Sequence, residues 1–259
     1  MNILRVLTAL CLTSMASIAS GLPISINKVT YASLMGSHII TFEDVVGGDY
    51  PGNVYDGVFE SGNTSFAERF SGQINTRVGV FDSLSGIPSG PLSLAVGKAG
   101  HNLNIFTFFG SNVLSGLGEE EINPDGDDLT IGEGSIALLF DLDQSEFGFE
   151  ILGGHNGNAV IDFFRRDGSL IQSLDIGGLS SISYGFSREG RIKDIAGVSI
   201  YNDDPSGVTF DNFKHDVAGV PGQLPPTEPP VSVPEPSTLA LLIFGLASLG
   251  RYRNRAGSV

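Results

Sequence analysis

The chain has 259 residues, of which 41% are hydrophobic and 17% charged, so it can bury a packed core and is not expected to be globally disordered. Its formal net charge of −15 at pH 7 would repel phosphate backbones, which argues against a nucleic-acid-binding protein and favours cationic partners such as Ca²⁺. The 35 glycines follow no collagen period and are typical of the many tight turns of an all-β protein.

Residues 1–19 have the three parts of a secretory signal peptide. Arg5 supplies the positive charge, and residues 6–18 are mostly apolar yet too short for a stable membrane span. Small residues occupy the two positions that a signal peptidase reads before a cut after Ala19, so we predict cleavage there. The single cysteine, Cys11, lies in this segment, so the exported part has no disulfide and no thiol nucleophile.

Residues 20–218 are predicted to form one all-β domain, a single β-sandwich. About a dozen short runs of β-branched and aromatic residues are separated by Gly, Asn, Asp and Pro, and no amphipathic helix of about ten residues or more interrupts them. The predicted strands are His38–Phe42, Val54–Phe59, Phe66–Phe70, Arg77–Phe81, Leu92–Val96, Leu103–Phe109, Ile136–Phe140, Glu146–Ile151, Ala159–Phe164, Ser169–Leu174, Ile182–Phe186, Ile195–Tyr201 and Val208–Phe213.

Two local patterns support this prediction. Asp167-Gly168 stands between two of the runs, which is a turn signal for a β-hairpin whose loop can be longer than two residues. Phe147, Phe149 and Ile151 alternate with polar or small residues, as a strand that is buried on one face requires.

The sequence motifs of common enzyme classes are missing from this domain. His38, His101, His155 and His215 are not paired at metal-ligand spacing, and no Gly-x-Ser-x-Gly motif is present. Residues 132–137 superficially match a dinucleotide fingerprint, but they lack the helix and parallel strands that such a site needs. Two carboxylates can form a glycosidase pair at any sequence spacing, so a chain with 29 acidic residues always contains pairs of this kind and they give no specific signal. Because no specific catalytic motif is found, we expect a non-enzymatic protein and keep a glycan-active hydrolase or lyase as an alternative.

The acidic loop from Glu119 to Asp128 contains candidate calcium ligands, because carboxylates are the hard oxygen ligands that Ca²⁺ takes. Asp125, Asp127 and Asp128 lie close together in this loop. The loop is not an EF-hand, since Gly134 stands where the last glutamate of that motif would be. The alternative is a solvated acidic surface.

Exposed aromatic side chains could stack on sugar rings. The chain has no tryptophan, and Tyr50, Tyr55, Tyr184 and Tyr201 stand in or beside predicted turns and strand ends. These four tyrosines are the candidates for a polysaccharide-binding surface.

The end of the chain is organised in consecutive segments. Residues 219–233 are rich in proline and are predicted to form a semi-rigid linker. A sorting tail follows over residues 234–259 and begins with a Pro-Glu-Pro motif. Its apolar stretch, residues 239–250, is short against the roughly 20 residues of a membrane span. The tail ends on an arginine cluster that would stay on the cytoplasmic side.

This order resembles the PEP-CTERM sorting signal, a motif followed by a short transmembrane helix and an arginine-rich end. The resemblance implies that an exosortase-type membrane enzyme processes the tail and that residues 239–250 contact the membrane only transiently. It also implies a protein that is secreted or at the surface of a Gram-negative-type bacterium, after transient insertion into the inner membrane. The residues that would carry recognition and retention are Pro234, Glu235, Pro236, Arg251, Arg253 and Arg255.

The second half of the domain resembles the jelly-roll domains of PEP-CTERM proteins, which are similar to carbohydrate-binding modules. The similar segments are Phe147-Gly-Phe-Glu, Phe163-Phe-Arg-Arg-Asp-Gly and Gly207-Val-Thr-Phe-Asp-Asn-Phe. The resemblance implies a Ca²⁺ ion between the first and last strands, held by Glu43 or Asp44 and by Asp211. It further implies association with exopolysaccharide or a biofilm matrix, with a calcium-stabilised carbohydrate-binding module as the alternative function.

Overall fold

The structure, a computed structural model, describes residues 25–118 and 131–216. Its regular structure consists of strands and two short 3₁₀ turns, Tyr31–Ser33 and Glu189–Arg191. In chain order the strands are β1 (Ile26–Val29), β2 (His38–Ile40), β3 (Asn53–Tyr55), β4 (Phe59–Ser61), β5 (Thr64–Ala67), β6 (Arg69–Phe70), β7 (Ile74–Val78), β8 (Phe81–Ser85), β9 (Leu94–Ala95), β10 (Leu103–Phe108), β11 (Ser111–Gly116), β12 (Ile136–Gln144), β13 (Glu146–Gly153), β14 (Asn158–Phe164), β15 (Leu170–Gly177), β16 (Ser183–Arg188), β17 (Ile195–Asn202) and β18 (Val208–His215).

Two antiparallel sheets build the domain. Sheet A has the order β1-β16-β13-β18-β11-β10-β3, and β2 also pairs with β18. Sheet B has the order β15-β14-β17-β12-β5-β4. The last strand, β18, lies between β13 and β11, so distant parts of the chain meet inside sheet A. The predicted all-β fold with a single β-sandwich is confirmed.

The hydrophobic core lies between the two sheets and is rich in phenylalanine. Phe147, Phe149 and Ile151 on β13 are all buried, as their alternation predicts. Phe163 of sheet B reaches across to Phe186 of sheet A, with the two ring centroids 5.4 Å apart. Aromatic pairs at such distances add to the stabilisation from buried area. This core therefore stabilises a domain that has no disulfide.

Two small two-stranded sheets, β6–β9 and the β7–β8 hairpin, form an extra layer against sheet B. Phe70 of β6 packs on Phe164 of β14, with ring centroids 5.4 Å apart, and both belong to a second buried cluster with Leu92. Gly197 allows this packing, because a Cβ atom at that position would lie 2.6 Å from Phe70 Cζ. The layer buries one part of the outer face of sheet B and leaves Asp175, on β15, exposed.

An ion-pair clamp joins the sheets at one end of the sandwich. Asp194, just before β17, accepts hydrogen bonds from Arg188 Nε at 2.6 Å and Nη2 at 2.7 Å. Arg165, just after β14, donates from Nε to the same carboxylate at 3.1 Å. Because Arg188 ends a strand of sheet A and the other two residues flank strands of sheet B, the clamp connects the two layers.

The strand predictions hold best where the pattern is local. The hairpin around Asp167-Gly168 forms between Phe164 and Leu170, and Gly168 has a φ of 85°. The predicted strand Arg77–Phe81 is wrong, because the chain turns there between β7 and β8. Strands β1 and β11 were not predicted at all.

Several predicted features lie outside the described residues. They are the signal-peptide cleavage after Ala19, the calcium candidates Asp125, Asp127 and Asp128, the linker 219–233 and the sorting tail 234–259. Within residues 25–118 and 131–216, no helix is long and apolar enough to cross a membrane, and the apolar stretch 239–250 lies beyond them.

Candidate functional site

Two of the three calcium candidates near the first and last strands meet in the structure. Ser111 Oγ lies 3.2 Å from Glu43 Oε1 and 3.1 Å from Asp211 Oδ2, so one hydroxyl bridges the two carboxylates. Asp44 points elsewhere and accepts a hydrogen bond from the Gly62 N–H at 2.9 Å. In the described ranges, no group of three or more His, Cys, Asp or Glu side chains is placed to hold a metal ion. Calcium binding therefore stays a prediction.

Asp211 is the electrostatic centre of this region. Burial is the largest cause that raises the pKa of its carboxyl, and the nearby charges of Glu150 and Glu43 raise it further. Hydrogen bonds from the Asn212 N–H and the Ser111 hydroxyl oppose the shift. The pKa of Tyr31 is raised to about 12, first by burial and then by Glu150 and Asp211. A cation would be favoured here because the concentrated charge is negative.

A second region lies on the outer face of sheet B, where β15, β14 and β17 are neighbours. Val160 stands opposite Asp175 on one side and Tyr201 on the other. Two residues further along β14, Asp162 stands opposite Ser173 on β15. Because side chains two residues apart share a face of a strand, these residues point away from the core. We call the set Asn158, Val160, Asp162, Ser173, Asp175 and Tyr201 the Tyr201 face.

The β7–β8 hairpin and the Tyr201 face enclose a groove of about 200 Å³. Phe81 and Val78 of the hairpin form one wall, and Tyr201 and Val160 form the other. The lining also contains polar residues, among them Asp203 and Asn158. The Asp203 carboxylate accepts a hydrogen bond from the Asn158 N–H at 2.6 Å. The groove is lined by Val78, Phe81, Asp82, Ser83, Asn158, Val160, Tyr201, Asn202 and Asp203.

Charge in and beside this groove is negative. The pKa of Tyr201 is raised by burial first and then by Asp162 and Asp175. The pKa of Asp162 is raised by burial and, to a smaller extent, by Asp175, while its hydrogen bond with Ser173 opposes the shift. The groove therefore combines an aromatic surface with carboxylates, which is the composition of a polar-ligand site.

A third region is a polar cavity of about 370 Å³ that Glu68, Asp82 and His101 help to line. Burial raises the pKa of Glu68, which forms an ion pair with Arg69 and accepts a hydrogen bond from Asn75 Nδ2 at 2.5 Å. Asp82 accepts a hydrogen bond from the Ser135 N–H at 2.9 Å. The lining of this cavity therefore includes two buried acidic residues, Glu68 and Asp82.

The four tyrosine candidates occupy different environments. Tyr50 is 51% exposed and contacts Phe106, whereas Tyr55 is half-buried against Phe59. Tyr184 is 3% exposed and belongs to the core, so it offers no surface on which a sugar ring could stack. Tyr201 is half-buried in the groove wall and is the tyrosine that shares a groove with carboxylates.

The structure also brings together two histidines that sequence spacing did not pair. His38 of β2 stands opposite His215 of β18, and their ring centroids are 4.6 Å apart. The His38 Nε2 atom lies 2.8 Å from the Gly62 carbonyl oxygen. Only the pairing of two strands far apart in the chain could have revealed this contact.

Residues 232–256 match the family model of the PEP-CTERM protein-sorting motif. No curated protein and no solved structure matches the chain. The matched segment contains the Pro-Glu-Pro motif, the apolar stretch and the arginine cluster, so the predicted sorting signal is confirmed. The chain therefore carries a PEP-CTERM sorting signal on a β-sandwich. The signal implies processing by an exosortase-type membrane enzyme and supports a secreted protein that is sorted to the cell surface.

Proposed function

We propose that this protein is a non-enzymatic extracellular or cell-surface component of a Gram-negative-type bacterium, associated with exopolysaccharide or a biofilm matrix. A signal peptidase removes the leader, the tail inserts transiently into the inner membrane, and the exosortase-type enzyme then processes it. The sorting motif carries this proposal, because it follows a folded β domain and a proline-rich segment in the same chain.

The described domain suits a binding role better than a catalytic one. In the polar cavity, both buried carboxylates already have protein partners, since Glu68 is paired with Arg69 and Asp82 binds Ser135. The groove at Tyr201 presents apolar side chains and the exposed Asp203 to solvent, as a surface that holds a ligand does. These contacts support binding and presentation outside the cell.

Fractionation of the native host tests the proposal. The wild-type protein is expected in the matrix fraction, and digestion of the host polysaccharide should release it. Replacement of Pro234, Glu235 and Pro236 by alanine should leave the protein in the membrane fraction, while alanine at Pro229 and Pro230 in the linker is the matched control. A wild-type protein that stays in the membrane, or remains in the matrix after complete polysaccharide digestion, would contradict the proposal.

The convergence of Glu43 and Asp211 on Ser111 favours a second candidate, a carbohydrate-binding module that calcium stabilises. Two carboxylates and a hydroxyl supply hard oxygen atoms, and backbone carbonyls or water would complete the coordination. A calcium titration followed by calorimetry tests this candidate, with the Glu43→Gln, Asp211→Asn double variant as the comparison.

A further inference from the structure

We propose that the groove between the Tyr201 face and the β7–β8 hairpin binds a polysaccharide that carries protonated amino sugars. The inference rests on the proposed function, because it names the class of polysaccharide that the matrix protein takes. Three observations carry it: the size of the face, the apolar walls of the groove and the sign of the surrounding charge.

The Tyr201 face has the dimensions of a short oligosaccharide. Its residues lie on three adjacent strands and in three successive rows, of which Asp175, Val160 and Tyr201 form the middle one. With strands about 4.8 Å apart and same-face residues about 6.8 Å apart along a strand, the face measures about 10 by 14 Å. An extended chain of two sugar rings fits on such a surface.

The walls supply the apolar contacts that a sugar ring needs. The C–H groups of a pyranose present an apolar face, which packs on aromatic and branched aliphatic side chains. Tyr201 and Val160 lie side by side on the sheet, and Phe81 faces them from the hairpin. A ring seated between them is in contact with protein on both sides.

Polar groups around the walls are fixed in position before a ligand arrives. The Asp203 carboxylate accepts hydrogen bonds from Asn158, at 2.6 Å from the backbone N–H and 3.3 Å from Nδ2. The Ser83 side chain lines the groove beside the hairpin wall. Such a carboxylate can accept hydrogen bonds from sugar hydroxyls without a rearrangement of the backbone.

Charge complementarity selects the class of sugar. Asp82 and Asp203 are the charged residues that line the groove among the described residues, and both are acidic. The Asp82 carboxylate is buried and binds Ser135, so the exposed Asp203 carboxylate is the one that a ligand in the groove can reach. Asp162 and Asp175 add two more beside Tyr201, close enough to act on its pKa. Uronic or sulfated polymers would be repelled from this surface, whereas the ammonium group of an unacetylated amino sugar forms charge-assisted hydrogen bonds with carboxylates.

The burial of Asp162 strengthens this argument. Its carboxyl is half-buried next to Asp175, so both desolvation and a like charge disfavour its ionised form. A ligand ammonium placed between the two carboxylates would favour the ionised form of Asp162 by its opposite charge and so offset these effects. Binding should therefore weaken as salt rises and, because the pKa of Asp162 is raised, as the pH falls far enough to protonate that carboxyl.

Calorimetric titration of the full-length protein with three defined probes tests the proposal. Oligomers of glucosamine should bind about tenfold or more tightly than oligomers of glucose or N-acetylglucosamine, and high salt should remove most of that difference. Tyr201→Ala and the Asp162→Asn, Asp175→Asn pair should each lower the affinity by about tenfold. Tyr201→Phe keeps the ring and should retain binding.

Two matched variants serve as controls. Phe109 is 94% exposed at the β10–β11 turn, so Phe109→Ala removes an aromatic surface from elsewhere on the domain. Glu60→Gln removes an exposed carboxylate from β4. Both controls should bind glucosamine oligomers like the wild type, and the melting temperature of each variant shows whether it is folded. Since Asp175 is exposed, Asp175→Asn alone still tests the site if Tyr201→Ala does not fold.

Several outcomes would overturn the proposal. Equal affinity for glucose oligomers would contradict the charge argument, and loss of binding in Phe109→Ala would place the site at the β10–β11 turn. Poly-lysine that binds as tightly, with the same dependence on Tyr201, would mean that the groove takes a cationic peptide. In the host, a wild type and a Tyr201→Ala variant that are equally retained in the matrix would refute this site alone, whereas a wild type that is not retained refutes the proposed function.

Discussion

The substitution Asp194→Asn tests the clamp between the two sheets. In the wild type, the Arg188 guanidinium donates two hydrogen bonds to the Asp194 carboxylate, and the Arg188 side chain is 1% exposed. An asparagine cannot neutralise this buried charge or accept both hydrogen bonds. Breaking a buried ion pair in this way costs about 3–5 kcal/mol. Because the Asp194 side chain is 20% exposed, we expect the lower end of that range, about 3 kcal/mol.

The matched control is Asp143→Asn. Asp143 also accepts two hydrogen bonds from an arginine, Arg166, but both side chains of that pair are 31% exposed. A pair as exposed as this one contributes about 0–1 kcal/mol. Arg166 places both hydrogen bonds on Asp143 Oδ1, an oxygen that asparagine keeps, whereas Arg188 binds both carboxylate oxygens of Asp194. The smaller loss expected for Asp143→Asn therefore follows from its greater exposure and from this one-oxygen geometry together.

Urea unfolding of the full-length wild type and both variants measures this difference. A loss of about 3 kcal/mol corresponds to a fall in Tm of roughly 6–12 °C for a domain of this size. We expect the Asp194 variant to lose at least about 2 kcal/mol more than the Asp143 variant. Equal losses in the two variants would refute the argument that a buried clamp joins the sheets.

Three further predictions follow from the described contacts. Gly197→Ala should cost about 1–3 kcal/mol in urea unfolding, because its Cβ would collide with Phe70, while Gly57→Ala, with open space around it, should not. Because the folded-state pKa of Asp162 is raised, the folded state favours the protonated carboxyl, and wild-type stability falls as the pH rises above about 4. Asp162→Asn carries no charge and should therefore gain stability relative to the wild type between pH 4 and pH 7. A difference that stays constant over this range would count against the argument. Calcium should raise the Tm of the wild type but not of the Glu43→Gln, Asp211→Asn variant, and a titration of the wild type without heat would contradict this.

Local patterns in the sequence predicted much of the fold. The alternation of Phe147, Phe149 and Ile151 fixes which face of β13 is buried, and the Asp-Gly turn fixes the β14–β15 hairpin. Strand β11 escaped prediction because Ser111, Asn112 and other polar or small residues make it look like a loop. Its conformation depends on pairing with β10, a contact that a single window of sequence does not contain.

The turn between β7 and β8 shows the opposite error. Val78 and Val80 favour a strand by propensity, but Gly79 between them has a φ of 68° and reverses the chain. Gly79 was the feature of the sequence that could have predicted this turn. Because this hairpin forms one wall of the groove, the error also concealed the groove itself.

The candidate sites were only partly predictable. Glu43 and Asp44 are adjacent, and the sequence alone could not decide which one turns towards Asp211, on the last strand. For the tyrosines a signal was present: Tyr184 alternates in phase with Phe186 and is buried, whereas Tyr201 is out of phase with Ile200 and faces outwards. The opposite wall of the Tyr201 groove comes from a hairpin that is distant in the sequence, so only the tertiary structure could reveal the groove.

The most direct test of the account is the intact mass, with terminal peptide mapping, of the protein recovered from the culture medium and envelope of its native host. The account predicts a form that begins at Ser20 and ends between Pro234 and Ser237, which would record both the signal-peptidase and the exosortase-type cleavage. A form that retains the arginine cluster Arg251–Arg255 would contradict it, because the tail would then be an uncut membrane anchor.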